Sequence, residues 1–230
     1  MNQFLQTLFV RTPHFVSVAL CLLWLTLGAG GAQAAPTLDI GAARLAPPGS
    51  VVTVKGTVTV PSGLFVSSTF DEGFALQDKS GGIYVSAATD PGLALGDQAE
   101  VTGRLTDSFG LLVLVPTRPS DVKRKGHGRP VDAAPVSTGG VGEASEGRLV
   151  TVTGTITIAV SSDLPYGYKL YIDDGSGPVQ IFVSASTGLD LSGLAPGQRI
   201  RVTGLSAQFD TTYEVQPRVQ SDIALVNDCP

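Results

Sequence analysis

The chain has 230 residues, with 15 Lys+Arg against 20 Asp+Glu, two His and two Cys. That length holds one large or two small domains. Beyond residue 34 one His and one Cys remain, which excludes an internal disulfide, Cys/His and Ser/His/Asp catalysis, and zinc sites built on His/Cys clusters.

Residues 1–34 read as a secretory signal peptide. Arg11 is their only charge, "FVSVALCLLWLTLGA" (Phe15 to Ala29) is mostly apolar, and "AQA" (Ala32 to Ala34) offers small residues for cleavage before Ala35. The alternative, a retained membrane anchor, needs about 20 apolar residues, and this run is shorter. "VALC" has Leu20 before Cys21, where a lipoprotein signal needs a small residue. After cleavage the protein is extracytoplasmic: periplasmic, surface-bound or extracellular. It then carries 14 cations against 20 acids and spans no membrane. Cys229 is either an inert tail residue or an intermolecular bridge.

From Leu38 the chain reads as all-β, with short helical turns at Leu38 to Leu45 and Val141 to Glu146. In "VTVKGTVTV" the valines of Val52 to Val60 alternate with polar residues, the period of a half-buried strand. Strands follow at Phe74 to Gln77, Ile83 to Val85, Gln98 to Leu105 and Leu111 to Val115. The pattern then repeats at Val150 to Ile158, Lys169 to Asp173, Val179 to Val183, Gln198 to Gly204 and Thr212 to Gln216. Four blocks recur in the same order: "GSVVTVKG" with "GRLVTVTG", "QDKSGGIYV" with "DDGSGPVQI", "GDQAEVTGRL" with "GQRIRVTGLS", and "VPTRPSDV" with "QPRVQSDI". Their offsets of 98, 96, 101 and 101 describe one unit written twice.

Gly56 and Gly154 fall on the inward side of the first strand of each unit. Glycine there lets a long strand coil, so that it pairs with two neighbours at once. Gly103 and Gly204 serve the same bending on the fourth strands. Five strands with a long, bent first strand make a small closed barrel of the OB type. A small open β-sandwich is the alternative. The expected organisation is a signal peptide at 1–34, a five-stranded OB-like barrel at 37–122, a basic Pro/Gly linker at 123–135 and a second barrel at 136–226.

"FALQDKSGGIYV" with "LALGDQAEVTGRL" after "LAPPGSVVTVKGTVT" resembles the secreted bacterial OB-fold domains that accompany extracellular nucleases and lamin-tail proteins. "LYIDDGSGPVQIFV" with "LAPGQRIRVTG" is similar to the same type. The resemblance spans about residues 37–226. It implies the fold and an accessory role, and no nuclease activity, since the chain holds no nuclease domain.

Lys123, Arg124, Lys125 and Arg129, just after Arg118, are the one basic concentration. They suit contact with a polyanion or a solvated, extended linker; His127 lies among them. "DDGSG" at Asp173 reads as a hairpin turn and lacks the spacing of a calcium loop. No paired-acid motif marks a hydrolase. We expect no catalytic residues, metal or cofactor. OB barrels bind ligands on strands two and three. Alternation turns Lys169, Tyr171, Gln180 and Phe182 outward in the second unit, with Tyr171 and Phe182 as an aromatic platform. The first unit offers Gln77 and Tyr84. Such platforms stack bases or sugar rings. The expected function is a secreted, non-enzymatic binding module for an extended ligand, nucleic acid or polysaccharide. The alternative is an interaction module for another protein of the envelope or exterior, with the aromatics buried between the barrels.

Overall fold

Valines at alternate positions build the first barrel around one long strand. The computed structural model of the chain describes residues 34–67 and 69–226. The signal peptide expected over 1–34 lies outside the described residues but for Ala34, as does Cys229. The first sheet contains β1 (Thr37–Leu38), β2 (Val51–Val60), β3 (Phe74–Gln77), β4 (Gly82–Val85), β5 (Asp97–Ser108), β6 (Leu111–Val115) and β7 (Val122–His127), with a short helix α1 (Ile40–Arg44) after β1. The second contains β8 (Ala134–Pro135), β9 (Leu149–Asp163), β10 (Gly167–Asp173), β11 (Val179–Ser184), β12 (Arg199–Phe209), β13 (Thr212–Gln216) and β14 (Ile223–Leu225).

The strand orders are β1-β2-β3-β4-β6-β5-β7 and β8-β9-β10-β11-β13-β12-β14. Pairing of β2 with β5 and of β9 with β12 closes a five-stranded ring in each sheet. Within each ring one pair is parallel, β4 with β6 and β11 with β13. These are two all-β barrels of OB topology, each extended by a short strand at either end.

β2 shows why the inward glycine matters. It pairs with β5 from Val51 to Thr57 and with β3 from Thr57 to Val60, so the chain turns from one neighbour to the next at Gly56. A Cβ on Gly56 would stand 3.0 Å from the Gln77 carbonyl oxygen. β9 repeats the device: it pairs with β12 up to Thr155 and with β10 from Thr155, and a Cβ on Gly154 would meet the Asp173 carbonyl carbon at 2.9 Å. Val52, Val54, Phe74, Leu76 and Ile83 fill the first barrel, and Val150, Val152, Leu170, Ile172 and Ile181 the second; all are buried.

The turn aspartates tie each β-hairpin to the segment before its long strand. Asp78 Oδ2 accepts the Ile40 N–H at the start of α1, and Asp174 Oδ2 accepts the Thr138 N–H at a 3-10 turn, Thr138–Gly140. The second helical turn therefore falls earlier than expected. Residues 141–146, where it was expected, make a hydrogen-bonded turn instead.

The basic linker expected at 123–135 is a correction. Val122–His127 is a strand paired with β5, and Ala134–Pro135 pairs with β9. The first barrel thus runs through His127, and the connection shrinks to residues 128–133. One apolar residue, Val122, packs on the first core, while Lys123, Arg124 and Lys125 stay exposed. Lysine on an outermost strand blocks pairing with another chain, and such a strand looks like linker in sequence.

The described residues from Ala35 to Val226 belong to one compact unit. A third buried cluster joins the barrels: Val60, Phe65, Ala75, Tyr84 and Val113 from the first, Leu205 and Ala207 from the second. Polar ties flank it. Arg44 pairs with the buried Glu146 at 2.8 Å, and Arg218 donates to the Thr59 carbonyl at 2.8 Å. Gly82 and Gly147 pass so closely that a Cβ on either would strike the other's backbone.

Candidate ligand-binding cleft

The barrels enclose a cleft of about 320 Å³, within the range of small-molecule sites. Its first wall comes from β4, β6 and the β2–β3 loop: Phe65, Asp71, Tyr84, Ser86, Leu111 and Val113. Its second comes from β10, β11, β12 and β13: Lys169, Gln180, Phe182, Ala207, Glu214 and Gln216. Phe109 and Phe209, at the tips of the β5–β6 and β12–β13 hairpins, stack with centroids 5.4 Å apart. The Asp210 N–H donates to the Phe109 carbonyl at 2.6 Å. Nearby loops supply a second pair, Phe70 and Tyr166, with centroids 5.7 Å apart. All four rings are exposed. Phe70 and Phe109 hold φ of 53° and 54°, a left-handed backbone that is costly for bulky residues and that concentrates at binding sites.

The polar groups of the cleft are closely ordered. Asp71 accepts from Thr69, the Gly73 N–H, the Tyr84 hydroxyl and the Ser86 hydroxyl. Burial, with Asp71 beside it, pushes the Tyr84 hydroxyl far above the ordinary tyrosine range. Glu214 is 4 % exposed. Its two oxygens accept from Gln180 Nε2 and Gln216 Nε2, both at 2.6 Å. Burial pushes its carboxyl upward against those two donors. Lys169 pairs with Asp163 at 2.8 Å and lies 6.0 Å from the Phe182 ring centroid.

Of the residues expected on the binding face, Lys169, Gln180, Phe182 and Tyr84 line this cleft. Tyr84 is nearly covered, at 5 % exposure, because its ring belongs to the cluster joining the barrels. Gln77 is not available to a ligand: it is buried, and its Oε1 accepts the Leu149 N–H at 2.8 Å across the joint. Tyr171 stands outside the lining, and its hydroxyl donates to Gln180 Oε1 at 2.7 Å. The pair Tyr171 and Phe182 therefore does not form one platform in the cleft; Phe182 lines it beside Phe109 and Phe209 from the hairpin tips.

The expected row of polyanion contacts is also altered. Lys123 and Lys125 point to Glu100 at 3.9 and 3.3 Å, joined by Lys55 at 3.3 Å. Arg124 and His127 share the buried Asp97 at 2.8 and 3.0 Å, and Arg129 pairs with Asp132 at 2.9 Å. Each expected cation has a carboxylate partner. In ring order, β4 and its Tyr84 lie opposite the β2–β5 pair that β7 extends, so these cations sit across the barrel from the cleft.

Sequence reasoning missed Phe65, Asp71, Phe109, Tyr166, Phe209 and Glu214. One signal was present: Phe109 and Phe209 sit in matched turns of the repeat, where small polar residues are usual. Among the described residues no group of three His, Cys, Asp or Glu stands ready to hold a metal ion, and no helix is long and apolar enough to cross a membrane.

Fold and cleft together define an all-β double-barrel protein with an aromatic-walled groove. No protein-family model matches the chain. Endonuclease YhcR of Bacillus subtilis (strain 168) is 30% identical over 192 residues, 78% of this chain but 15% of that protein, so the chain spans a small part of the curated relative it matches. Among solved structures, the S. pombe Stn1–Ten1 complex shares 20% identity over 35% of this chain and 59% of that one, with a TM-score of 0.29. The hypothetical protein ygiW from E. coli shares 16% over 39% and 95%, at 0.30. The tetrameric p202 HIN2 shares 11% over 79% and 98%, at 0.35. The fold assignment rests on strand order and register, to which likenesses at these scores add nothing.

Proposed function

We propose that the chain is a secreted, non-enzymatic binding module that holds a segment of polysaccharide between its two barrels. The observation that carries this reading is the convergence of Phe109, Tyr166, Phe182 and Phe209 with Gln180, Gln208, Glu214 and Gln216 on one cleft. Aromatic faces stack on the apolar faces of sugar rings, while amides and carboxylates receive their hydroxyls. The apolar run at Phe15 to Ala29 supports export.

Nucleic acid is the second reading, favoured by the likeness to part of an endonuclease. The charges oppose it. The cleft carries Asp71, Asp163 and Glu214 against Lys169 alone, and phosphate binding depends on cations that release counterions. The test is calorimetric titration of the chain, at low salt, with neutral oligosaccharides and with single-stranded DNA. Saturable sugar binding that Phe182→Ala weakens supports the proposal. DNA binding with a steep salt dependence, and none to sugars, replaces it with the second reading. If neither binds, a protein-interaction role takes its place.

A further inference from the structure

The charges around the cleft do not cancel. Lys169 is the one cation among its lining residues, and Asp163 engages it at 2.8 Å. That leaves Asp71 and Glu214. Every hydrogen bond to Asp71 comes from a hydroxyl or a backbone N–H, and both to Glu214 come from glutamine amides. Three carboxylates thus share an aromatic-walled space with one cation, Lys169, which pairs with Asp163 and reaches Glu214 only through space. Ring faces carry negative quadrupole density and attract cations, and in a partly dry cleft an ion pair gains strength.

The arrangement of Glu214 is specific. Tyr171 donates to Gln180 Oε1, which orients the Gln180 amide so that its Nε2 donates to Glu214. Gln216 holds the other oxygen. Tyr171 and Gln216 are thereby positioning residues, fixing the carboxylate against the side of the cleft that Phe182 borders.

Building on the polysaccharide reading, we infer that the sugar bound in the cleft carries a free amine, and that Glu214 is its counter-ion. The ligand class is an amino sugar with an unacylated nitrogen. The ammonium donates a charge-assisted hydrogen bond to the carboxylate, about twice as strong as a neutral one, while Phe182 and the Phe109–Phe209 pair cover the ring.

The test is titration calorimetry near neutral pH, where a share of the amine carries a proton and Glu214, raised by burial, is more ionised than in acid. The probes are a glucosamine tetramer, the fully N-acetylated tetramer and a neutral glucose tetramer. The free-amine tetramer should bind at least about tenfold more tightly than the acetylated one. Glu214→Gln, checked for fold by circular dichroism, should remove that preference. Lys169→Gln deletes the competing cation and should tighten amine binding about threefold, a gain that misfolding does not produce. Equal or tighter binding of the acetylated tetramer overturns the inference and leaves the polysaccharide reading standing. So does a preference that survives Glu214→Gln. If none of the three tetramers binds, both readings fall together.

Discussion

The two barrels place different side chains at equivalent points of the same ladder. In the first, the parallel pair β4–β6 sets Tyr84 opposite Val113; in the second, β11–β13 sets Gln180 opposite Glu214. These positions correspond through the repeat offsets of 96 and 101. All four residues are buried and border the cleft, but the first pair also belongs to the cluster that joins the barrels, whereas Gln180 and Glu214 hydrogen-bond to each other. One copy of the face packs through apolar contact and the other keeps its polar groups. A repeated fold thus lines one cleft from two copies with different chemistry.

The comparison breaks most readily at the joint. Arg44 belongs to the first barrel and neutralises Glu146, which lies beneath the second and has one oxygen without a partner. Removing one member of a buried pair strands the other charge, so Arg44→Met should lose about 3–5 kcal/mol in urea denaturation. A loss below about 1 kcal/mol would mean that the joint is wet and loose.

Tyr84 and Phe182 sharpen the contrast between covered and open faces. Tyr84→Ala empties part of a buried cluster and should lose roughly 3 kcal/mol. Phe182→Ala removes a half-exposed ring and should change stability by less than about 1 kcal/mol, while weakening ligand. Thermal melts of the two variants side by side check this; equal losses would erase the distinction.

Inside the barrels the copies should behave alike. Gly56→Val and Gly154→Val each force a side chain against the backbone of the neighbouring strand. Each should lose about 1–3 kcal/mol. A denaturation series in which only one variant is destabilised would show that only one long strand depends on its bend.

The smallest effect is in the pH dependence, where Asp97 of the first barrel and Glu214 of the second carry opposite signs. In the first, hydrogen bonds from the Ala94 N–H and His127, with Arg124 beside them, hold Asp97 down from 3.8 to about 2. The folded state binds fewer protons than the unfolded state in that interval, so this stability is present above 3.8 and is lost as pH falls toward 2. In the second, burial raises Glu214. Its contribution is fullest in acid and is lost as pH rises through the folded value. Asp97→Asn should flatten the acid limb of urea midpoints measured against pH. An unchanged limb would remove Asp97 from the account.

Much of the fold was legible because short-range patterns encode it. Strands at Phe74–Gln77, Leu111–Val115 and Thr212–Gln216 match their expected bounds. Alternation also turned Lys169, Gln180 and Phe182 to the outer face, where the structure has them. β7 was illegible because an outermost strand needs little apolar character, and "VKRKGH" offers one valine to the core. The cleft was illegible for a different reason. It exists only when two barrels dock, and no local pattern says that Gln77 will be sealed by Leu149 or that Phe109 will stack on Phe209.

The most direct measurement is an NMR titration of the isotope-labelled chain with the glucosamine tetramer, following the amide and aromatic resonances. If the cleft between the barrels is the site, shifts appear together in Phe109 and Tyr84 of the first barrel and in Phe182, Phe209 and Glu214 of the second. Shifts confined to one barrel, or to Lys123 through Arg129 on the far strand, would contradict a shared site.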